Sequence, residues 1–180
     1  MLSHYIDLSH VGGPVRYELF GRVLKAAHLS VGEGQPIAVD WPMWCEENGG
    51  FGPIMRLLGS QAAISHCLNL LDPLIEAGLL FMRGQVSEVP SLAKCLHGYR
   101  RSRKPDRGSP SHLRRLERRA LARGEVYQPA SVWIHSTHSL PMQSKSTHQR
   151  FHIYIERVPA IAVTGELPGS YGFGISLPSF

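Results

Sequence analysis

The chain is short of cysteine and of long apolar runs, and over one stretch of thirty residues it is short of acid. Cysteine occurs three times in 180 residues, at Cys45, Cys67 and Cys95. An odd number so widely spaced builds neither a disulfide framework nor the CxxC pairs of a zinc site. Reduced thiols in a cytoplasmic protein are the expectation. No apolar run approaches the ~20 residues needed to span a bilayer, and Met1-Leu-Ser-His-Tyr5 lacks the basic-then-apolar pattern of a secretory signal. No membrane partner is expected. Internal repeats and low-complexity tracts are also missing. Charged residues make up only 18% against 43% hydrophobic, which excludes wholesale disorder and allows a packed core in one domain or two small lobes.

The local shortage of acid is the most informative. Between Lys94 and Arg123 stand 11 cations, nine of them arginine, opposed only by Asp106 and Glu117. That stretch carries +9 in a chain of net +5, so the remainder is net −4. A solvated helix normally mixes glutamate with lysine for i,i+4 pairs. Repeated arginines repel one another unless a polyanion joins them, and their planar forks suit phosphate and guanine edges. Nucleic acid is the expected partner.

Periodicity places this element in a fold. Residues 3–9 alternate like a strand and end at Gly12-Gly13-Pro14; Val15–Leu29 has helical apolar spacing; Gln35–Trp41 and Ile54–Leu58 read as strands. Ser60 predicts the cap of a second helix running to about Glu76, closed by Gly78, and Leu79–Met82 and Val86–Val89 return to strand. Strand–helix–strand–strand–helix–strand is the ferredoxin-like order. The expected fold class is α+β: a ferredoxin-like lobe over residues 1–92, then a smaller lobe over 93–180. In the second lobe Tyr99–Pro105 reads as irregular, and Ser109-Pro110 as the start of a helix that Gly124 ends. On a wheel of about 100° per residue, Arg114, Arg118, Arg115, Arg119 and Arg123 fill one half of that helix. Leu116, Ala120 and Leu113 form a narrower stripe opposite. Ser144–Thr147 reads as a polar loop, Phe151–Arg157 as a strand, and Gly165–Phe180 as a glycine-rich run containing Tyr171.

Ten histidines invite a metal reading, pairing His135 with His138 or His148 with His152. Neither pair lies on a predicted helix or beside a cysteine, and HExxH is absent, so no metal or other cofactor is expected. General acid–base work on a phosphodiester is the alternative, because an imidazole titrates near ~6.5.

Several short motifs, in this order and spacing, are similar to one family. They are His4-Tyr-Ile-Asp7, Leu19-Phe-Gly-Arg-Val-Leu24, Val39-Asp-Trp-Pro-Met-Trp-Cys45, the arginine helix Leu113–Glu125, Ser144-Lys-Ser-Thr-His-Gln-Arg-Phe151 and Ser170-Tyr-Gly172. The sequence resembles the CRISPR-associated repeat endoribonucleases of type I-F systems (the Csy-four or Cas-six-f group), most closely the members carried with CRISPR-associated transposons. Such proteins bind a short stem-loop in each CRISPR repeat and cut at its 3′ base. They stay on the guide RNA as a subunit of the surveillance complex.

The resemblance implies CRISPR repeat RNA, the other subunits of that complex and a transposon target-selector protein as partners. It implies that Ser144 orients the attacking 2′-hydroxyl, that Tyr171 shapes the site, and that Phe151 stacks under the last base pair. Arg101 and Arg103 fall where the family reads bases at the foot of the stem. Arg114, Arg115, Arg118 and Arg119 fall where its helix enters the groove. The neighbouring cations Arg100, Lys104, Arg107, Arg123 and Lys145 are expected on the same RNA. The deep, narrow groove of A-form RNA admits such a helix only where a short stem opens.

Two departures stand out. The family has glutamine at the position of Arg103, and a histidine about three residues after its Phe-Gly pair. Here that place falls on Leu24 or Lys25, and the nearest histidine is His28, one helical turn on. His28 is the expected base, with Lys25 as the competing occupant of its position. If neither serves, the chain is a hairpin-binding subunit without cleavage.

Overall fold

The computed structural model describes residues 2–13, 15–47, 50–103, 110–127, 138–144 and 147–180. The first half follows the sequence pattern closely. β1 (His4–His10), α1 (Arg16–Gly32), β2 (Ile37–Asp40), β3 (Ile54–Gly59), α2 (Gln61–Glu76) and β4 (Leu80–Met82) form βαββαβ. Their sheet runs β2-β3-β1-β4, all antiparallel, and the two-residue strand β5 (Ser87–Glu88) also pairs β1. Ser60 caps α2 by accepting the Ala63 N–H at 3.1 Å, and Gly78 follows the helix at φ 67°. This is the ferredoxin-like order.

A second antiparallel sheet, ordered β7-β8-β6-β9, is built from β6 (Lys94–Ser102), β7 (Ser139–Gln143), β8 (Arg150–Pro159) and β9 (Ser176–Ser179). Here the sequence expectation needs correction. Tyr99–Ser102, expected to be irregular because it is basic, completes β6 between β8 and β9. The charge is absorbed by pairing: Arg100 lies opposite Glu156 on β8 and donates to it at 3.0 Å. The glycine-rich C-terminal run contains β9, and β7 lies where no strand is predicted. Both are short strands that register with a neighbour, rather than periodicity, makes regular.

One hydrophobic core, from Ile6 and Leu57 to Ile153 and Leu177, runs through both sheets. A polar joint is buried within it. Tyr99, 1% exposed, donates to Asp40 Oδ1 at 3.0 Å, and His97 Nε2 lies 2.9 Å from the same oxygen. Arg157 Nη2 approaches His97 Nδ1 at 3.1 Å, so Nδ1 accepts and Nε2 carries the hydrogen given to Asp40. β2 of the first sheet is thereby tied to β6 and β8 of the second.

Candidate nucleic-acid interface and active site

Three strands end or begin toward one end of the second sheet, β6 stopping four residues short of the other two. β6 ends at Ser102 opposite Tyr154, β7 ends at Gln143, and β8 begins at Arg150 opposite Gln143. Antiparallel pairing points Arg103, Ser144 and Phe151 toward the same end of the sheet, with Arg101 opposite Ile155, five residues along β8 from the Gln143–Arg150 pair. Arg101 and Arg103 are exposed there, and Phe151 is half-buried at the start of β8. Ser144 is held in a tight turn: its hydroxyl accepts the Thr147 N–H at 3.2 Å, and its N–H donates to Gln149 O at 3.0 Å. Lys104, Arg107 and Lys145 lie outside the described residues, as do the cap position Ser109 and His135.

α3 (Pro110–Ala122) presents the arginines outward. Arg114, Arg115, Arg118, Arg119 and Arg123 are all exposed, whereas Leu113 and Leu116 are half-buried and Ala120 is buried. Arg115 reaches His112 Nδ1 at 2.9 Å, and Arg123 is paired with Glu125 at 2.7 Å. Arg114, Arg118 and Arg119 have no hydrogen-bonding or ion-pair partner among the described residues. Arg100 is engaged with Glu156, as Arg123 is with Glu125.

α1 supplies the remaining groups. Of the positions open for a base, Leu24 is fully buried in the core, and Lys25 lines a cleft beside Arg22. His28 stacks on Tyr171, with ring centroids 4.6 Å apart and planes 20° from parallel. Its Nδ1 is buried without a hydrogen-bond partner among the described residues. The tyrosine is presented by a strained turn, Ser170–Gly172, in which Tyr171 itself takes φ 65°. Gly172 follows at φ 75°, where a Cβ would meet Ile37 O at 2.9 Å. Glycine is required there, and the turn is pressed between α1 and β2.

Gly21, the glycine of the Leu19–Leu24 motif, is a structural residue of the site to which the motif assigns no role. A Cβ on it would collide with Pro141 O, so its bare backbone lets β7 lie directly on α1. That contact brings the strand carrying Ser144 to the helix carrying His28. The sequence does hold a signal for it: a glycine inside a helix costs ~1 kcal/mol and marks a close approach. Among the other histidines, His138 is accounted for by packing. It is buried, 2.9 Å from Cys45 O, with its ring 3.6 Å from that of Trp44. His148 and His152 are exposed.

No described helix is long and apolar enough to cross a membrane. No curated protein matches the sequence. The sequence matches the family described as CRISPR-associated protein (Cas_Csy4) over residues 5–179, which takes in both sheets, all three helices and every candidate site residue. The chain belongs to the Csy-four family of CRISPR-associated proteins, whose general work is the processing of CRISPR repeat RNA.

Proposed function

We propose that this chain is a metal-independent, sequence- and structure-specific endoribonuclease that binds the stem-loop of a CRISPR repeat and cuts at its 3′ base. The arginine face of α3 lies along the stem, Arg101 and Arg103 read its foot, and Phe151 stacks under the last base pair. Ser144 orients the 2′-hydroxyl. His28 takes its proton as the oxygen attacks the adjacent phosphorus. The bond to the 5′ oxygen breaks, that oxygen takes up a proton, and the products are a 2′,3′-cyclic phosphate and a 5′-hydroxyl. Tyr171 fixes the imidazole by stacking, and Lys25, one turn away, offers a cation to the charged phosphate. The protein then stays on the guide-RNA hairpin as a subunit of a surveillance complex. In the transposon-borne case that complex also meets a target-selector protein. The two expected lobes correspond to two tasks, the first carrying the base and the second gripping the stem.

The observation that carries the reading is the His28–Tyr171 stack with its unpartnered buried Nδ1. Unpartnered buried side-chain atoms also occur elsewhere among the described residues, as at His10 and Trp41, so it is the stack on Tyr171 that sets His28 apart. The second reading, a guide-RNA hairpin-binding subunit that does not cut, draws on one specific observation: of the two residues on which the family's histidine position falls, about three after the Phe20-Gly21 pair, Leu24 is buried in the core and Lys25 is not a histidine.

A single-turnover cleavage assay on the cognate repeat, run in excess chelator, separates the two. Cutting is expected, with His28→Ala and Ser144→Ala each slowing it by about 10²-fold or more, the usual share of a base or positioning group, and hairpin affinity nearly unchanged. Binding without cutting in the unaltered protein would leave only the second reading.

A further inference from the structure

The polar side of α1 carries a cation that the reaction above does not use, Arg22, beside Lys25, which borders both the reacting phosphate of that reading and what lies beyond it. Arg22 and Lys25 face a cleft of about 870 Å³ between α1, the second half of α2 and the strands β7 and β8. Arg150 lines it from the start of β8, and Glu18 is the one carboxylate among its described lining residues. None of the three cations has an ion-pair partner among the described residues. Tyr17, Phe151 and His152 add ring surfaces to a wall that mixes apolar residues with Ser139 and Gln143. Cations along a groove with rings between them are what single-stranded nucleic acid uses, phosphates on the charges and bases on the rings.

The position of the cleft says which strand would enter it. Across the end of the second sheet the order is β6, β8, β7, and α1 packs on β7. Arg101 and Arg103, read above as stem-binding, are at the end of β6. Ser144 follows β7, and the two residues flanking its loop, Gln143 and Arg150, both line the cleft. A strand that leaves the stem and passes Ser144 therefore continues onto the α1 side.

Resting on the functional reading above, we propose that this cleft binds the single-stranded RNA immediately 3′ of the cut, through Arg22, Lys25 and Arg150. From Tyr17 to Leu29 the α1 wall is roughly 18 Å long at ~1.5 Å per residue, room for about five stacked nucleotides at ~3.4 Å each. A helical protein segment is the competing occupant of a partly apolar groove. Three cations without an ion-pair partner among the described residues, Arg150 next to the Ser144 loop, favour a polyanion over it.

Fluorescence anisotropy on the full chain tests this with repeat hairpins carrying a 2′-deoxy nucleotide at the cleavage position, so that nothing is cut. Three RNAs are compared: no tail, five uridines on the 3′ side, and five uridines on the 5′ side. The 3′ tail is expected to tighten binding about tenfold and steepen the log K–log salt slope by about 2, near 0.7 for each phosphate neutralised on a single strand. The ratio of affinities with and without the 3′ tail is expected to fall below about twofold in Arg22→Glu/Arg150→Glu and to survive in Arg22→Lys/Arg150→Lys. A ratio near one in the unaltered protein, while the tail-free hairpin binds, would overturn the cleft and leave the enzyme intact. So would an equal gain from the 5′ tail, or a gain that persists in the glutamate variant. Failure to bind the tail-free hairpin would bring down the functional reading, and the cleft with it.

Discussion

Arg56 lies between the rings of Phe180 and Tyr5, 4.1 and 4.7 Å from their centres, and gives Asp7 two hydrogen bonds at 2.7 and 3.0 Å. Arg114, Arg118 and Arg119 stand in solvent on α3 with no described partner. The residue type is the same and the settings are opposite. Asp7 and Arg56 face each other across β1 and β3, so the counterion is supplied by strand register within the chain. On α3 the register is helical and the neighbours are mostly arginines, so Arg114, Arg118 and Arg119 find no counterion among the described residues. A buried arginine with its own carboxylate holds the fold together. A row without one is stable in company with a polyanion, which is why the second set and not the first is proposed to bind RNA.

The sharpest way to break this contrast is to empty the exposed set. Replacing Arg114, Arg115, Arg118 and Arg119 together with alanine should weaken hairpin binding by on the order of 10⁴-fold, at about 1.5 kcal/mol for each charge-assisted hydrogen bond to the RNA that disappears. The log K–log salt slope should fall by about 3, and Tm should stay level or rise as repulsion is removed. Binding titrations at several salt concentrations check the first two, and a thermal melt the third. A lost fold with retained affinity would reverse the assignment.

Emptying the internal site should do the opposite. Arg56→Ala leaves Asp7 half-enclosed without its partner and removes the plate between two rings. A loss of about 3 kcal/mol is expected in chemical denaturation, toward the low end for a broken buried pair because Asp7 retains some exposure. Hairpin affinity per folded molecule should not change.

The smallest effect concerns the other internal joint. Tyr99→Phe strips Asp40 of one donor and should cost about 1–2 kcal/mol. Burial, with Asp40 beside it, pushes the Tyr99 phenol above its ordinary value. The folded state therefore retains that proton more firmly than the unfolded chain does. This contribution is fully present below about pH 10, the unfolded value, and is lost as pH rises beyond it. The stability gap between the unaltered protein and Tyr99→Phe should narrow from pH 10 to 11.5. A constant gap would mean that the phenol is not enclosed as described.

Much of this molecule is legible without coordinates, and the reasons differ by element. α1, α2 and the first strands announce themselves through spacing, and Ser60 and Gly78 through capping chemistry, because those signals are local. The arginine stripe is equally plain, since an uncompensated charge row is a property of composition. β7 and β9 are not legible. A short strand rich in serine and proline carries no period of its own and becomes a strand only when β8 or β6 offers it hydrogen bonds. Tyr99 falls in a stretch that reads as basic and irregular because its neighbours are arginines. It is in fact a core residue that closes the joint to Asp40. The cleft on α1 is also hidden from the sequence, because its cations come from positions 22, 25 and 150.

From the order of residues alone come the class of fold, the family and the cationic helix, all of which rest on interactions between neighbours a few positions apart. Which residue of α1 meets Tyr171 is a different kind of question. Leu24, Lys25 and His28 lie within about one turn, and no local rule separates them. The choice is made by the bare backbone of Gly21, which seats β7, and by the left-handed turn at Tyr171, which is pressed onto the helix from the far end of the chain. Contacts between segments more than a hundred residues apart depend on how whole sheets pack, and that geometry exists only in the folded molecule.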